Sequence, residues 1–153
     1  MTRVLFVCTG NTCRSPLAEA LARVAARRRG LRLEFGSAGT FAGSGAPAAL
    51  HAIQAGGRRG ADLSGHRSRG LTPEMLSDVD LAVAMTPAHL DAILHLDPGV
   101  RAELVTGFLP ADDERRGVRV PDPFGGGEEE YEEVADVLEA CVAGILDQAS
   151  AGR

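Results

Sequence analysis

Val4-Leu5-Phe6-Val7-Cys8-Thr9-Gly10-Asn11-Thr12-Cys13-Arg14-Ser15-Pro16 is the stretch on which the rest of the chain is organised. Its apolar opening reads as a buried strand, and Ser15-Pro16 reads as a helix start. Between them lies a short polar loop with a cysteine at its mouth and an arginine six positions on. A cysteine at a strand end faces a helix N-terminus here, where unpaired backbone N–H groups and the helix dipole favour an anion. That anion can be the thiolate, a phosphate, or each in turn. The spacing Cys8-x5-Arg14-Ser15 lets one loop curl around a tetrahedral oxyanion while the guanidinium closes the ring bidentately. Gly10 and Asn11 suit the positive-φ backbone that such a nest requires.

The bulk numbers set limits on the rest. At 153 residues, 44% hydrophobic and 24% charged, the chain reads as one soluble globular domain spanning 1–153, with the last few residues expected to fray. A net charge of −5 gives no basic surface that would suggest a nucleic-acid partner. No stretch is apolar enough for a signal peptide or a membrane span, so no membrane association is expected. Three irregularly spaced cysteines make no disulfide framework, which favours a reducing cytoplasm. All 16 basic residues are arginine, which fits a GC-rich genome better than any function.

Working outward, Leu17, Ala20, Leu21, Val24 and Ala25 form one apolar helical face, with Gly30 as the stop. Leu31–Phe35 alternates like a strand and ends in Gly36-Ser37-Ala38-Gly39. Pro47 is placed to open a helix through about Ala55, with Leu50 and Ile53 inward. Thr72-Pro73-Glu74 opens a short helix to about Ser77. Leu81–Met85 reads as a central strand and Thr86-Pro87 as the cap of a helix carrying Leu90, Ile93 and Leu94. Glu103–Val105 makes a fourth strand, and residues 110–121 form a surface loop leading to Pro121-Asp122-Pro123-Phe124. The last helix has a full apolar stripe from Val134 to Leu146, including Cys141, with glutamates at its N-terminal end. Strands separated by helices predict a parallel α/β sheet with right-handed crossovers. In such sheets ligands bind beyond the strands' carboxyl ends, which is where the cysteine loop lies.

The opening segment resembles the phosphate loop of low-molecular-weight protein tyrosine phosphatases, V-C-x-G-N-x-C-R-S-P, at Val7, Cys8, Gly10, Asn11, Cys13, Arg14, Ser15 and Pro16. Ser37-Ala38-Gly39, Ser64-Gly65-His66, Asp80-Leu81 with Met85, and Asp122-Pro123-Phe124 follow in the family's order. The resemblance implies a four-stranded parallel sheet with helices on both faces, and a cofactor-free, metal-free protein phosphatase. Its partners would be phosphorylated proteins, with inorganic phosphate as product.

Through that resemblance Cys8 is the nucleophile that forms a phosphocysteine intermediate. The N–H groups from Thr9 to Ser15, with Arg14, neutralise the phosphoryl oxygens. Ser15 stabilises the Cys8 thiolate, and Asn11, Ser15, Ser37 and His66 form the supporting network. Asp122 is the general acid and base, although a lone aspartate in a Pro-rich loop would otherwise read as a turn former. Phe124 walls the cleft. Phe41 is placed there by position alone and reads equally well as core. Cys13 is implied to pair reversibly with Cys8 and guard it from oxidation.

Thr12 bears on the substrate. Many tyrosine-specific members have a bulky aliphatic residue at that place, whereas threonine is similar to the bacterial protein-arginine phosphatases. Those also share Cys-Thr-Gly-Asn-Thr-Cys-Arg-Ser and Asp-Pro-Phe-Gly-Gly, both present here. The resemblance thus allows phosphotyrosine or phosphoarginine, with phosphoarginine favoured. Two other readings stand beside it: an arsenate reductase using an external thiol, and a non-catalytic phospho-residue binding module.

Overall fold

The computed structural model describes residues 1–151; the fraying expected at Gly152 and Arg153 lies outside them. Four strands, β1 (Arg3–Cys8), β2 (Glu34–Gly39), β3 (Leu81–Ala84) and β4 (Ala102–Leu104), form one parallel sheet in the order β2-β1-β3-β4. The helices are α1 (Arg14–Arg28), α2 (Leu50–Gly57), α3 (Pro73–Ser77), α4 (Pro87–Leu96) and α5 (Glu128–Ala151), with a 3-10 turn at Val105–Phe108. After β1 the chain adds β2 on one side and β3 on the other. The carboxyl end of β1 therefore borders the point where strand order reverses, the usual ligand crevice of an open α/β sheet.

Alternation along β1 separates two cores. Val4, Phe6 and Cys8 face a core shared with Leu17 and Leu21 of α1, Ala52 and Ala55 of α2, and Val134, Leu138, Cys141 and Ile145 of α5. Leu5 and Val7 face a smaller core with Leu76 of α3 and Ile93 of α4. The apolar stripe read on the last helix is buried as expected, Cys141 included. Arg58 and Arg59, just past α2, hold α5 through Glu132, Asp136 and Glu139, so part of its acidic face is neutralised by neighbours and not by the dipole alone.

Three local expectations are corrected. The second strand begins at Glu34, not Leu31, and runs through Gly36-Ser37-Ala38-Gly39, pairing Arg3 with Glu34 and Cys8 with Gly39. Leu31 and Leu33 pack on the core edge without joining the ladder. The helix after the Gly/Ala-rich loop begins at Leu50 rather than Pro47, with Ala52, Ala55 and Gly56 buried, while Leu50 is 66% exposed. Leu94 is also on the outer side of its helix, at 37% exposure. The short helices start as read: the hydroxyls of Thr72 and Thr86 accept from the N–H groups of Met75 and His89.

Candidate active site

The loop Thr9–Cys13 joins the end of β1 directly to α1, which starts at Arg14, one residue earlier than Ser15-Pro16 suggests. Its N-cap, Cys13, supplies no side-chain hydrogen bond to the first turn. The N–H groups there are left to an anion, and Pro16 has none to offer. Cys8 Sγ lies 2.9 Å from Ser15 Oγ, and both residues are buried.

Asn11 is the only non-glycine with positive φ among the described residues, at 56°. Gly10, expected to share that conformation, does not adopt it. Four bonds hold Asn11 against the cost of a left-handed backbone, about 1 kcal/mol. Its Nδ2 donates to Ser15 Oγ at 2.8 Å and to Ser37 Oγ at 2.9 Å. Its Oδ1 accepts from the Arg69 N–H at 3.0 Å, and His66 Nε2 lies 2.7 Å from its carbonyl oxygen. Asn11, Ser15, Ser37 and His66 are thus brought together. Glu19 and Arg69 join them: the Ser37 hydroxyl donates to Glu19 Oε1, and Arg69 Nε donates to the Ser37 carbonyl.

Arg14 is buried, and its Nη1 donates to the Val120 carbonyl at 3.0 Å. Its Nη2 lies 3.7 Å from Asp122 Oδ2, so the loop that bears Asp122 is drawn over the cysteine loop. The other carboxylate oxygen of Asp122 accepts from the Phe124 N–H at 3.1 Å, an Asx-type turn that fixes its direction. Beside Asp122 runs a groove of about 480 Å³ between residues 115–123 and the start of α5.

The match to the family model of low molecular weight phosphotyrosine protein phosphatases covers residues 3–152. The chain belongs to that family. It is 37% identical to the protein-arginine-phosphatase of Bacillus subtilis (strain 168) over 150 residues, covering 98% of each chain. It is 38% identical to the low molecular weight protein-tyrosine-phosphatase of Streptomyces coelicolor over 152 residues, covering 94% of this chain and 91% of that one. Among solved structures, a mutant YwlE arginine phosphatase with a phosphorylated active-site serine superposes with a TM-score of 0.88 at 34% identity, covering 97% of this chain and 96% of that one. The tyrosine phosphatase of Entamoeba histolytica gives a TM-score of 0.90 at 27% identity, covering 99% of each chain. The protein is accordingly a cysteine-dependent protein phosphatase with the family's α/β fold, and phosphoproteins are its substrate class.

Within this phosphatase Thr9, Thr12, Phe41 and Phe124 fall on the rim, whereas Cys13 is buried. Thr12 is half-buried, with its carbonyl accepting from the Ala49 N–H at 2.9 Å and its hydroxyl 3.8 Å from Cys13 Sγ. Thr9 is exposed at the loop mouth. Phe124 is 77% exposed and Phe41, whose N–H donates to the Thr9 carbonyl, is 88% exposed, so Phe41 is not core. Cys13 turns its thiol to Tyr131 Oη, 3.2 Å away, and burial pushes it up from its usual range. Cys8, Cys13 and Cys141 are all free thiols. Cys141, sealed in the core, is pushed up to about 12 by that burial.

Sequence reasoning missed His89, Tyr131, Glu19 and Arg69 as parts of the site. Tyr131 is 3% exposed. His89 lies under the loop mouth at 5% exposure, its Nε2 2.8 Å from Thr9 Oγ1. Burial first, then the nearby Arg14 charge, lowers it to about 4. A histidine at the third position of a helix carries no sequence signal for such a placement. Among the described residues no helix is long and apolar enough to cross a membrane.

Proposed function

We propose that this phosphatase removes the phosphoryl group from phosphoarginine on proteins in preference to phosphotyrosine, using Cys8 as nucleophile. The observation that carries the reading is the 2.9 Å approach of Cys8 Sγ and Ser15 Oγ at the open first turn of α1. A thiolate there receives a hydrogen bond from Ser15 and sits beside the uncapped first turn of α1. The thiolate attacks phosphorus in line, the S–P bond forms, and the P–N bond to the guanidino leaving group breaks. Asp122, as the acid, gives its proton to the departing nitrogen. Arg14 and the loop N–H groups neutralise the phosphoryl oxygens throughout. In the second step Asp122 takes a proton from water, the water oxygen bonds to phosphorus, and Cys8 leaves as thiolate with Ser15 again donating. Inorganic phosphate is the product. Asn11, Ser37 and His66 keep the loop in shape, and neither nucleic acid, membrane, metal nor cofactor takes part. A reducing cytoplasm suits the thiol chemistry.

The substrate preference rests on Thr12, a small polar side chain on the rim, where a planar cation has room and can be hydrogen-bonded. Relatives from Bacillus subtilis and Geobacillus stearothermophilus named as protein-arginine-phosphatases support it. Phosphotyrosine is the second reading, favoured by the exposed Phe41 and Phe124 beside the loop, which offer aromatic walls to a phenol ring. A reductase with an internal thiol relay is disfavoured because Cys141 is sealed in the core.

The experiment compares kcat/KM on phosphoarginine and phosphotyrosine peptides before and after Thr12→Ile, with Cys8→Ser as control. Cys8→Ser should abolish turnover yet keep phosphate binding. Thr12→Ile should move the ratio towards phosphotyrosine; an unmoved ratio removes Thr12 as selector.

A further inference from the structure

His89 is a buried histidine, bonded at both ring nitrogens, that lies outside the network around Asn11. Thr86 Oγ1, the cap of α4, accepts the His89 backbone N–H at 3.3 Å and lies 3.0 Å from His89 Nδ1. On the far side of the ring, Nε2 meets Thr9 Oγ1 at 2.8 Å. Thr9 follows the nucleophile directly and is exposed at the loop mouth. The charged groups facing the ring are Arg14 from α1 and Asp122 from its loop.

The hydroxyls of Thr86 and Thr9 each have two lone pairs and one hydrogen, so either neutral tautomer of His89 can be hydrogen-bonded at both ring nitrogens. In the tautomer that leaves Thr9 free to donate to a ligand, the Thr86 oxygen accepts the backbone N–H and gives its own hydrogen to Nδ1. A neutral imidazole then carries its hydrogen on Nε2 and donates it to Thr9 Oγ1. Thr9 is left with its own O–H to donate, and its oxygen is pinned at the mouth of the phosphate loop. A second ring proton is disfavoured by burial beside the Arg14 charge, in line with the lowered value already given.

We propose that His89 is a positioning residue for phosphoryl transfer: through Nε2–H it holds the Thr9 hydroxyl so that its O–H points at the phosphoryl group in the loop. No bond to phosphorus passes through His89. Thr9 adds one neutral donor to the set supplied by the backbone and Arg14, and it matters most when charge builds on the phosphoryl oxygens. This rests on the reading of the Cys8 loop as the phosphoryl site.

The test uses the whole chain. First, nitrogen NMR shifts of the His89 ring in the wild-type protein report which nitrogen carries the hydrogen; Nε2–H is expected, and Nδ1–H would overturn the proposal. Second, kinetics on one phosphopeptide are measured for Thr9→Val, His89→Ala and the double variant. Thr9→Val and His89→Ala should each lower kcat roughly ten- to a hundredfold with KM little changed, the scale of one hydrogen bond to a charged group. The double variant should be no slower than the slower single one. Additive losses, or losses confined to KM, would overturn the link. His89→Gln, whose amide can still donate towards Thr9, should recover part of the rate. If His89→Ala does not fold, the wild-type ring shifts and the exposed Thr9→Val variant still decide the matter. Residual turnover in Cys8→Ser would remove the reading of the loop itself, whereas the ring shifts do not depend on it.

Discussion

Arg14 Nη1 donates to the carbonyl oxygen of Val120 at 3.0 Å, so the residue that closes the cysteine loop also holds the segment bearing Asp122. Val120 in turn donates its N–H to Met85 at the end of β3, at 2.9 Å. The loop that carries Asp122, otherwise without regular structure over 110–121, is thereby stitched to the ends of β3 and α1.

Arg14→Lys should separate these two duties. A lysine ammonium is a point charge that cannot bind a carbonyl and a phosphoryl group in one plane. Loss of a transition-state donor should lower kcat/KM by roughly a hundredfold or more. Limited proteolysis within 110–121 should also become faster, because the Val120 tie is gone. Wild-type proteolysis rates in the variant would show that the tie does not hold the loop.

Asp122→Asn tests the acid. An asparagine keeps the shape and the Phe124 N–H contact but has no proton to give. Hydrolysis should fall by about 10²–10⁴-fold for substrates with poor leaving groups, and much less for activated aryl phosphates. An equal loss on both kinds would point to a positional role instead.

Asp80, at the far end of the sheet, should contribute to acid stability. Its carboxylate accepts from the Thr2 and Arg3 N–H groups and the Thr2 hydroxyl at 2.7–2.9 Å, which hold it at about 2. The folded value lies below that of the unfolded chain, about 3.9, so the unfolded chain binds the proton first as pH falls. The stabilisation is complete above about pH 5 and is lost as pH drops towards 2. Asp80→Asn should therefore lower the Tm at pH 7, with the gap to wild type narrowing between pH 5 and pH 3. A constant gap in calorimetry across that range would exclude this carboxylate as the cause.

Gly144 lies where α5 crosses the turn after β4. A Cβ there would sit 1.9 Å from the Phe108 carbonyl oxygen, a backbone atom that cannot move aside cheaply. Helix propensity alone would make Gly144→Ala stabilising. The overlap should reverse the sign and cost about 1–3 kcal/mol in urea unfolding. A stabilised variant would show that the helix and the turn can separate there.

The family's cysteine loop and the fold class were legible because residue type, order and hydrophobic period agreed over Val4–Pro16 and along α5. The second strand was misread for a physical reason. Leu31, Leu33 and Phe35 alternate more convincingly than Gly36-Ser37-Ala38-Gly39, yet the cysteine loop lies directly on the latter. A Cβ at Gly39 would come within 2.3 Å of the Thr9 carbonyl oxygen, so this strand end must be small and cannot look like a strand. His89 and Tyr131 were illegible for a different reason. Each reaches the loop across tertiary distance, from a helix whose periodicity records only what is buried, not what it touches.

The bonds around Asn11 carry one more consequence. Ser37, His66 and Arg69 are supplied by segments that follow the motif by dozens of residues. During synthesis the sequence Cys8–Pro16 emerges long before the groups that give it its shape. Until they arrive, Asn11 has only Ser15 of its four partners to hold its left-handed turn, and a nascent chain carries the motif with the nest largely unsupported. Capacity to bind an oxyanion there should therefore appear only as folding is completed. A phosphate analogue added during refolding should bind in step with the final transition.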